Sequence, residues 1–199
     1  MNYNFKITDL LFSKKNLVPN NVCEKLINLY EKYPSLVKRE NSYKYDVNEK
    51  NMDNYGSILL NKNFDIPEIK EAAFEIFEYI KIMLKNYENY IRDSGICPHF
   101  NTRHISMTEN MRILKYEKGA KIGKHTDMDK FVRGSLSIQL NDGYEGGDLK
   151  FFNSLKKPLE KGEVLIFPAE PIWIHETEPV IKGVRYVMNC FLFNNYSQN

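Results

Sequence analysis

The chain has 199 residues, enough for one substantial core and too few for two generous domains. Apolar types make up 42% of it and aromatic types 13%, which excludes an intrinsically disordered chain. Lys and Arg number 28 against 26 acidic residues, and a net charge of +2 gives no support for a nucleic-acid-binding surface.

The first helix is predicted after Pro19-Asn20-Asn21, where Val22, Leu26, Leu29, Tyr30 and Tyr33 recur at spacings of three and four. Asn20 or Asn21 is its expected cap, and Pro34 its stop. Residues 38–63 are polar, Asn-rich and weakly periodic. They read as a long loop with one short strand around Tyr55–Leu60, either a surface insertion or a lid. A second helix opens at Pro67-Glu68. Ile69, Ala72, Ala73, Ile76, Ile80, Met83, Leu84 and Tyr87 form its apolar face, with Met83 as core filling. Lys70, Glu71, Glu78, Lys81, Lys85 and Glu88 form the polar face, the pattern of a helix laid on a sheet.

From about Ser106 the period changes to two. Met111–Tyr116 reads as a strand, followed by Arg133–Leu140, with Leu136, Ile138 and Leu140 on one face and Ser135, Ser137 and Gln139 on the other. Asp148–Phe152, Glu163–Phe167, Ile172–Thr177 and Val184–Phe193 are further strands. Gly143–Gly147 lacks the lysine and following helix of a phosphate loop, so it is a turn in which Gly146 and Gly147 allow positive φ or close approach. Short strands between Gly, Pro and Asn turns, uninterrupted by helix, predict an antiparallel sandwich or barrel over about 106–193. The helical support covers about 1–105, and residues 1–199 form a single domain. The tail 194–199 is too polar to assign.

Cys23, Cys97 and Cys190 are odd in number and form no CxxC pair, which argues against a disulfide scaffold or zinc ribbon and fits an intracellular, cytoplasmic setting. The opening MNYNFKITDLLF is unlike a signal peptide, and no apolar run approaches the roughly 20 residues of a membrane span. Neither a membrane nor a nucleic acid is an expected partner.

Histidine is scarce: His99, His104, His125 and His175. His99 and His104 have no carboxylate at useful spacing, and a structural or exposed role is expected of each. Gly123-Lys124-His125-Thr126-Asp127 differs, because in extended backbone residues i and i+2 share a face. Both side chains can then reach one ion, and His175 on a later strand can supply a third ligand. Two histidines and one aspartate on one side of an octahedron leave the open positions that a non-haem Fe(II) oxygenase needs; zinc accepts the same donors. Arg185 lies in the next strand with no acid beside it, and its donor fork suits the far end of a small diacid. Gly183 removes bulk near that strand. Trp173 is expected to pack, and Glu176 and Glu178 to face away from His175. Asp148 reads as a surface acid or a contributor to the pocket, and Arg103 as a candidate substrate contact.

Arg112-Ile-Leu-Lys-Tyr116-Glu-Lys-Gly119, then His125-Thr-Asp127, resembles the 2-oxoglutarate- and Fe(II)-dependent dioxygenases, in particular the prolyl 4-hydroxylase-like branch. Leu136-Ser-Ile-Gln-Leu-Asn141, Tyr144-Glu-Gly-Gly-Asp-Leu149, His175-Glu-Thr-Glu-Pro179-Val180 and Gly183-Val-Arg185-Tyr186 follow in the family's order over roughly residues 108–193. The resemblance implies a mainly β fold with supporting α-helices, a double-stranded β-helix (jelly-roll, cupin-like) core serving as a single catalytic domain. It implies that His125, Asp127 and His175 form the catalytic metal centre and hold Fe(II). Arg185 would bind the distal carboxylate of 2-oxoglutarate, and Tyr116 would donate its hydroxyl there or simply fill the core. Asn189 or Thr126 would border the pocket. O2 is the second co-substrate, with ascorbate as a reductant. The implied reaction is hydroxylation of a prolyl residue in a peptide or protein; the alternative substrate is a free amino acid or other small molecule. A non-catalytic cupin-like binding protein would retain His125, Asp127, His175 and Arg185 without use, and a zinc hydrolase would leave Arg185 unexplained.

Overall fold

The computed structural model describes residues 5–40, 55–103 and 105–194. Its helices follow the apolar periodicity. The first, α1 (Asn20–Lys32), buries Val22, Cys23, Leu26, Leu29 and Tyr30. Its cap is corrected: Pro19 holds the N-cap position, and its carbonyl accepts from the amides of Val22 and Cys23, both at 3.1 Å, so Asn20 and Asn21 lie inside the first turn. The long α2 (Pro67–Asp93) buries the expected stripe and extends it to Ile91. Glu88 is also corrected, since it is buried instead of solvated. Its Oε2 accepts from the Thr102 amide and hydroxyl at 2.9 Å each, while Lys85 and Arg92 pair with Oε1 at 2.9 and 3.2 Å.

Thirteen strands are assigned among the described residues. In chain order they are β1 (Phe12–Lys14), β2 (Lys38–Glu40), β3 (Tyr55–Leu59), β4 (Ile105–Tyr116), β5 (Ile122–His125), β6 (Val132–Gln139) and β7 (Glu145–Gly146). There follow β8 (Leu149–Phe151), β9 (Leu155–Lys157), β10 (Val164–Pro168), β11 (His175–Thr177), β12 (Val180–Lys182) and β13 (Arg185–Asn194). A seven-stranded sheet runs β1-β10-β6-β13-β4-β3-β2, a four-stranded sheet runs β5-β11-β8-β9, and β12 pairs with β7. This is the antiparallel jelly-roll core that the strand pattern and the resemblance led us to expect.

The front of the chain contributes more than helices. Phe12 pairs with Ile166 at one edge of the large sheet, and Tyr55 pairs with Tyr116 towards the other, where β2 adds the outermost strand. Three residues are too few to show a period of two, so β1 and β2 left no pattern to read in the sequence. Of the 38–63 segment, residues 41–54 lie outside the described residues; Tyr55–Leu59 is the strand anticipated there.

Both faces of the large sheet are covered. Ile113, Leu136, Ile138, Ile166 and Met188 join the helices in one core cluster. Leu114, Tyr116 and Val187 face Ile122 and Val180, while Leu165 and Phe167 face Phe151 and Trp173. The alternation in β6 therefore separates a helix-facing side from the barrel interior, and Ser135, Ser137 and Gln139 are all buried on the interior side. No helix among the described residues is long and apolar enough to cross a membrane.

Candidate active site

Strand pairing brings the two histidines together. His175 opens β11 directly opposite His125, the last residue of β5, and their ring centroids are 4.3 Å apart. Asp127 lies just beyond β5. Its Oδ1 is 3.4 Å from His125 Nε2 and its Oδ2 3.4 Å from His175 Nε2, and the three ligand atoms all lie within 4.8 Å of one another.

The backbone orients both rings. His125 Nδ1 is 2.8 Å from the Gly123 carbonyl, and His175 Nδ1 is 3.0 Å from the Trp173 carbonyl. Those carbonyls accept from Nδ1–H, so each Nε2, the ring nitrogen on the Asp127 side, is the atom that binds a metal once its own proton leaves. Ser135 Oγ donates to Asp127 Oδ2 and fixes the carboxylate. Phe151 and Phe167 pack on the His175 ring at 5.5 and 4.9 Å, and Trp173 packs among the same aromatics as expected.

Burial works to raise the Asp127 pKa. The His125 hydrogen bond, the charges of both histidines and the Ser135 hydroxyl outweigh it and hold the group at about 2. For His125, burial is outweighed by Asp127 and the pKa rises; for His175, burial prevails and it falls. One carboxylate cannot satisfy two imidazolium ions in a buried space, so these three groups suit a divalent cation better than protons.

Arg185 is 2% exposed, and no acidic side chain pairs with it among the described residues. Its Nε donates to Gln139 Oε1 at 3.0 Å, and its guanidinium lies 5.4 Å from the centre of the Tyr116 ring and 6.0 Å from that of Tyr144. Tyr116 is its register partner across β13–β4, and Thr177 hydrogen-bonds the Tyr116 hydroxyl. Burial raises the Tyr116 pKa, keeping that hydroxyl protonated. Gly147, at φ +70°, lies where a Cβ would come within 3.0 Å of Arg185 Cδ, so the turn must carry a glycine to admit the arginine stem.

A cavity of about 400 Å³, counting space continuous with solvent, opens at the His125–Asp127–His175 cluster. Thr177 lines it and links it to Tyr116, whereas Arg185 and Tyr116 themselves stand behind the lining. Asn189 borders the cavity and Thr126 does not. Sequence reasoning missed three contributors: Ser135, Gln139 and Arg112, the last also lining the cavity. The signal for the first two was present, since polar residues alternating in a strand with both faces covered must point at something polar. Glu176 and Glu178 pair with Lys150 and Lys156 away from the cluster. His99 is exposed, and His104 lies outside the described residues.

Residues 111–193 match the family model described as the 2OG-Fe(II) oxygenase superfamily, and the matched stretch contains all three clustered residues and Arg185. That stretch, the β-core of the chain, is similar to this superfamily. No curated protein sequence matches the chain. Among solved structures, it is similar to a prolyl hydroxylase from Trichoplax adhaerens in complex with a hypoxia inducible factor oxygen degradation domain peptide fragment. That match has a TM-score of 0.68 and 14% identity, covering 94% of this chain and 84% of the other. A viral collagen prolyl hydroxylase from Paramecium Bursaria Chlorella virus-1, in its 2OG complex, gives 0.62 and 17%, covering 92% and 94%. A Pseudomonas putida prolyl-4-hydroxylase gives 0.62 and 16%, covering 95% and 97%. The shared property is the fold. The match over residues 111–193 and the donor set together support dioxygenase activity, with a site suited to Fe(II) and 2-oxoglutarate.

Proposed function

We propose that the protein hydroxylates a prolyl residue of a peptide or protein, with Fe(II) held by His125 Nε2, Asp127 and His175 Nε2. The observation that carries the metal assignment is the convergence of these three atoms with both Nδ1 positions tied to backbone carbonyls. 2-Oxoglutarate is assigned to Arg185 and Tyr116, supported by a buried arginine whose partners among the described residues are neutral: the Gln139 amide, Tyr116 and Tyr144. When bound, iron and 2-oxoglutarate together supply O2 activation, coupled to decarboxylation of the co-substrate to succinate and CO2; ascorbate serves as reductant.

The chain's own residues have narrower tasks. Ser135 and the Gly123 and Trp173 carbonyls hold the ligands in position. Gln139 and Tyr116 aim the Arg185 guanidinium, and Phe151, Phe167 and Trp173 exclude water behind His175. The helices and the β-core act as one catalytic domain. The three free cysteines support an intracellular setting. The prolyl target is supported by likeness to prolyl hydroxylases in fold, and loops select substrate independently of the barrel.

The test is anaerobic addition of Fe(II) and 2-oxoglutarate, followed by O2 and proline-containing peptides. Visible absorption of the iron chelate and succinate release stimulated by a prolyl peptide are expected. Absence of both with iron loaded would overturn the enzymatic reading. Succinate release stimulated by free amino acids alone would move the substrate to the small-molecule class.

A further inference from the structure

The cavity is lined by an arginine that neither the metal assignment nor the co-substrate assignment uses. Arg112 projects from β4 on the barrel side, in register with Asn189, and lines the same cavity as His125, Asp127 and His175. Its side chain is 20% exposed. Its Nε is buried and has no hydrogen-bond partner. Among the described residues its acidic partner is Glu40, 3.7 Å from Nη1, and that same carboxylate oxygen already accepts from the Ser57 hydroxyl. Phe191, another cavity residue, lies 5.6 Å from the guanidinium carbon and limits its swing.

Leaving a guanidinium N–H buried and unpaired is costly, and a fork of donors facing a cavity recovers that cost by binding a planar anion. Asn189 is turned to accept from Ser137 Oγ at 2.9 Å, so it does not serve Arg112 through that oxygen. Arg185 and Arg112 belong to separate register pairs of the β4–β13 ladder, Arg185 with Tyr116 and Arg112 with Asn189, with Val187–Leu114 between them. A single small diacid held at Arg185 therefore leaves Arg112 for another molecule.

We propose that Arg112 is a specificity-determining residue that binds a carboxylate of the substrate beside the atom to be hydroxylated. Resting on the prolyl reading above, this defines the substrate as a proline adjacent to a carboxylate. Two sources share that chemistry: an acidic side chain next to the proline, or the main-chain carboxylate of a terminal or free proline. Glu40 acts as a placeholder that the substrate displaces.

The test measures binding apart from turnover, in Mn(II)-loaded protein with 2-oxoglutarate under nitrogen. Four fluorescent peptides are compared by anisotropy: Glu against Gln beside the proline, and a C-terminal proline as free acid against amide. About tenfold tighter binding of one acid over its neutral twin is expected, and the pair that shows it identifies the source. Arg112→Gln should reduce that ratio to near one while leaving 2-oxoglutarate affinity unchanged, and Arg112→Lys should restore part of it. Should Arg112→Gln not fold, Glu40→Gln serves as the second arm and should tighten the acidic member, because its competitor is gone.

Equal binding of both twins by the wild-type protein would overturn the proposal. So would an Arg112→Gln variant that loses 2-oxoglutarate affinity but keeps the acid preference, or a Glu40→Gln variant that weakens acid binding. If no peptide binds, the prolyl-peptide reading fails. The same comparison between free amino acids and their amides then decides the role of Arg112.

Discussion

His175 stands directly across the β5–β11 ladder from His125, so one antiparallel register brings together two imidazoles fifty residues apart in sequence. Their Nε2 atoms converge because each Nδ1 is bonded to the carbonyl two residues earlier, Gly123 for one and Trp173 for the other. The pairing of two short strands thus decides whether a metal can bind at all.

Removing a ligand and removing its support should have different effects. His175→Ala is expected to abolish tight Mn(II) or Fe(II) binding in calorimetry, with circular dichroism unchanged. Ser135→Ala keeps all three ligands but frees the Asp127 carboxylate, and should weaken metal affinity by about 10–100-fold. Equal metal affinity in wild-type and His175→Ala protein would remove this cluster from consideration.

Arg185 and Gln139 form a second such pair. Arg185→Ala should weaken 2-oxoglutarate binding by about 2–5 kcal/mol while metal affinity is retained. Gln139→Leu keeps Arg185 but removes the amide that aims its Nε and that donates to the Asn141 and Tyr186 carbonyls, and a loss of about 1 kcal/mol in 2-oxoglutarate binding is expected. Titration of 2-oxoglutarate into Mn(II)-loaded protein reads both. An Arg185→Ala variant with unchanged affinity would transfer the co-substrate carboxylate elsewhere, with Arg112 as the first candidate.

The residues proposed to bind ions are more legible in the sequence than those that support them. His125 and Asp127 are two apart, so spacing pairs them, while His175 and Arg185 join them through the order of the motifs in the family resemblance. Ser135 and Gln139 were placed on the correct strand face, but their partners come from Asp127 and Arg185, and only the folded register brings these near. Glu88 shows the reverse failure. Its position in the helical period looks solvated, yet the segment after α2 folds back and places Thr102 against it. Strands β1 and β2 exist because a sheet edge was available to them, which three residues cannot announce.

Metal affinity should depend on pH through His125. Asp127, at about 2, stays ionised across the working range. His175 is shifted below the usual histidine value and His125 above it, so His125 carries the proton that a metal must first displace. Affinity should therefore rise by about one log unit per pH unit until pH exceeds the raised His125 value, and then level off. Titrations of Mn(II) between about pH 5 and 8 check this. A flat profile over that range would contradict the assignment of His125 as ligand.

Glu88 gives a stability prediction independent of any metal. The Thr102 amide, Lys85, the Thr102 hydroxyl and Arg92 bring its carboxyl down from 4.5 to about 2. The folded state therefore binds this proton less readily than the unfolded chain. Its contribution is full above about pH 4.5 and is lost as pH falls towards 2. Glu88→Gln keeps the shape but loses the charge, and should cost about 1–3 kcal/mol near neutral pH. At about 2–4 °C per kcal/mol for a chain of this size, the melting temperature should fall measurably. Scans at decreasing pH should bring the two proteins together as Glu88 takes up its proton. A constant gap from neutral to acid pH would mean that lost packing, not lost charge, sets the cost.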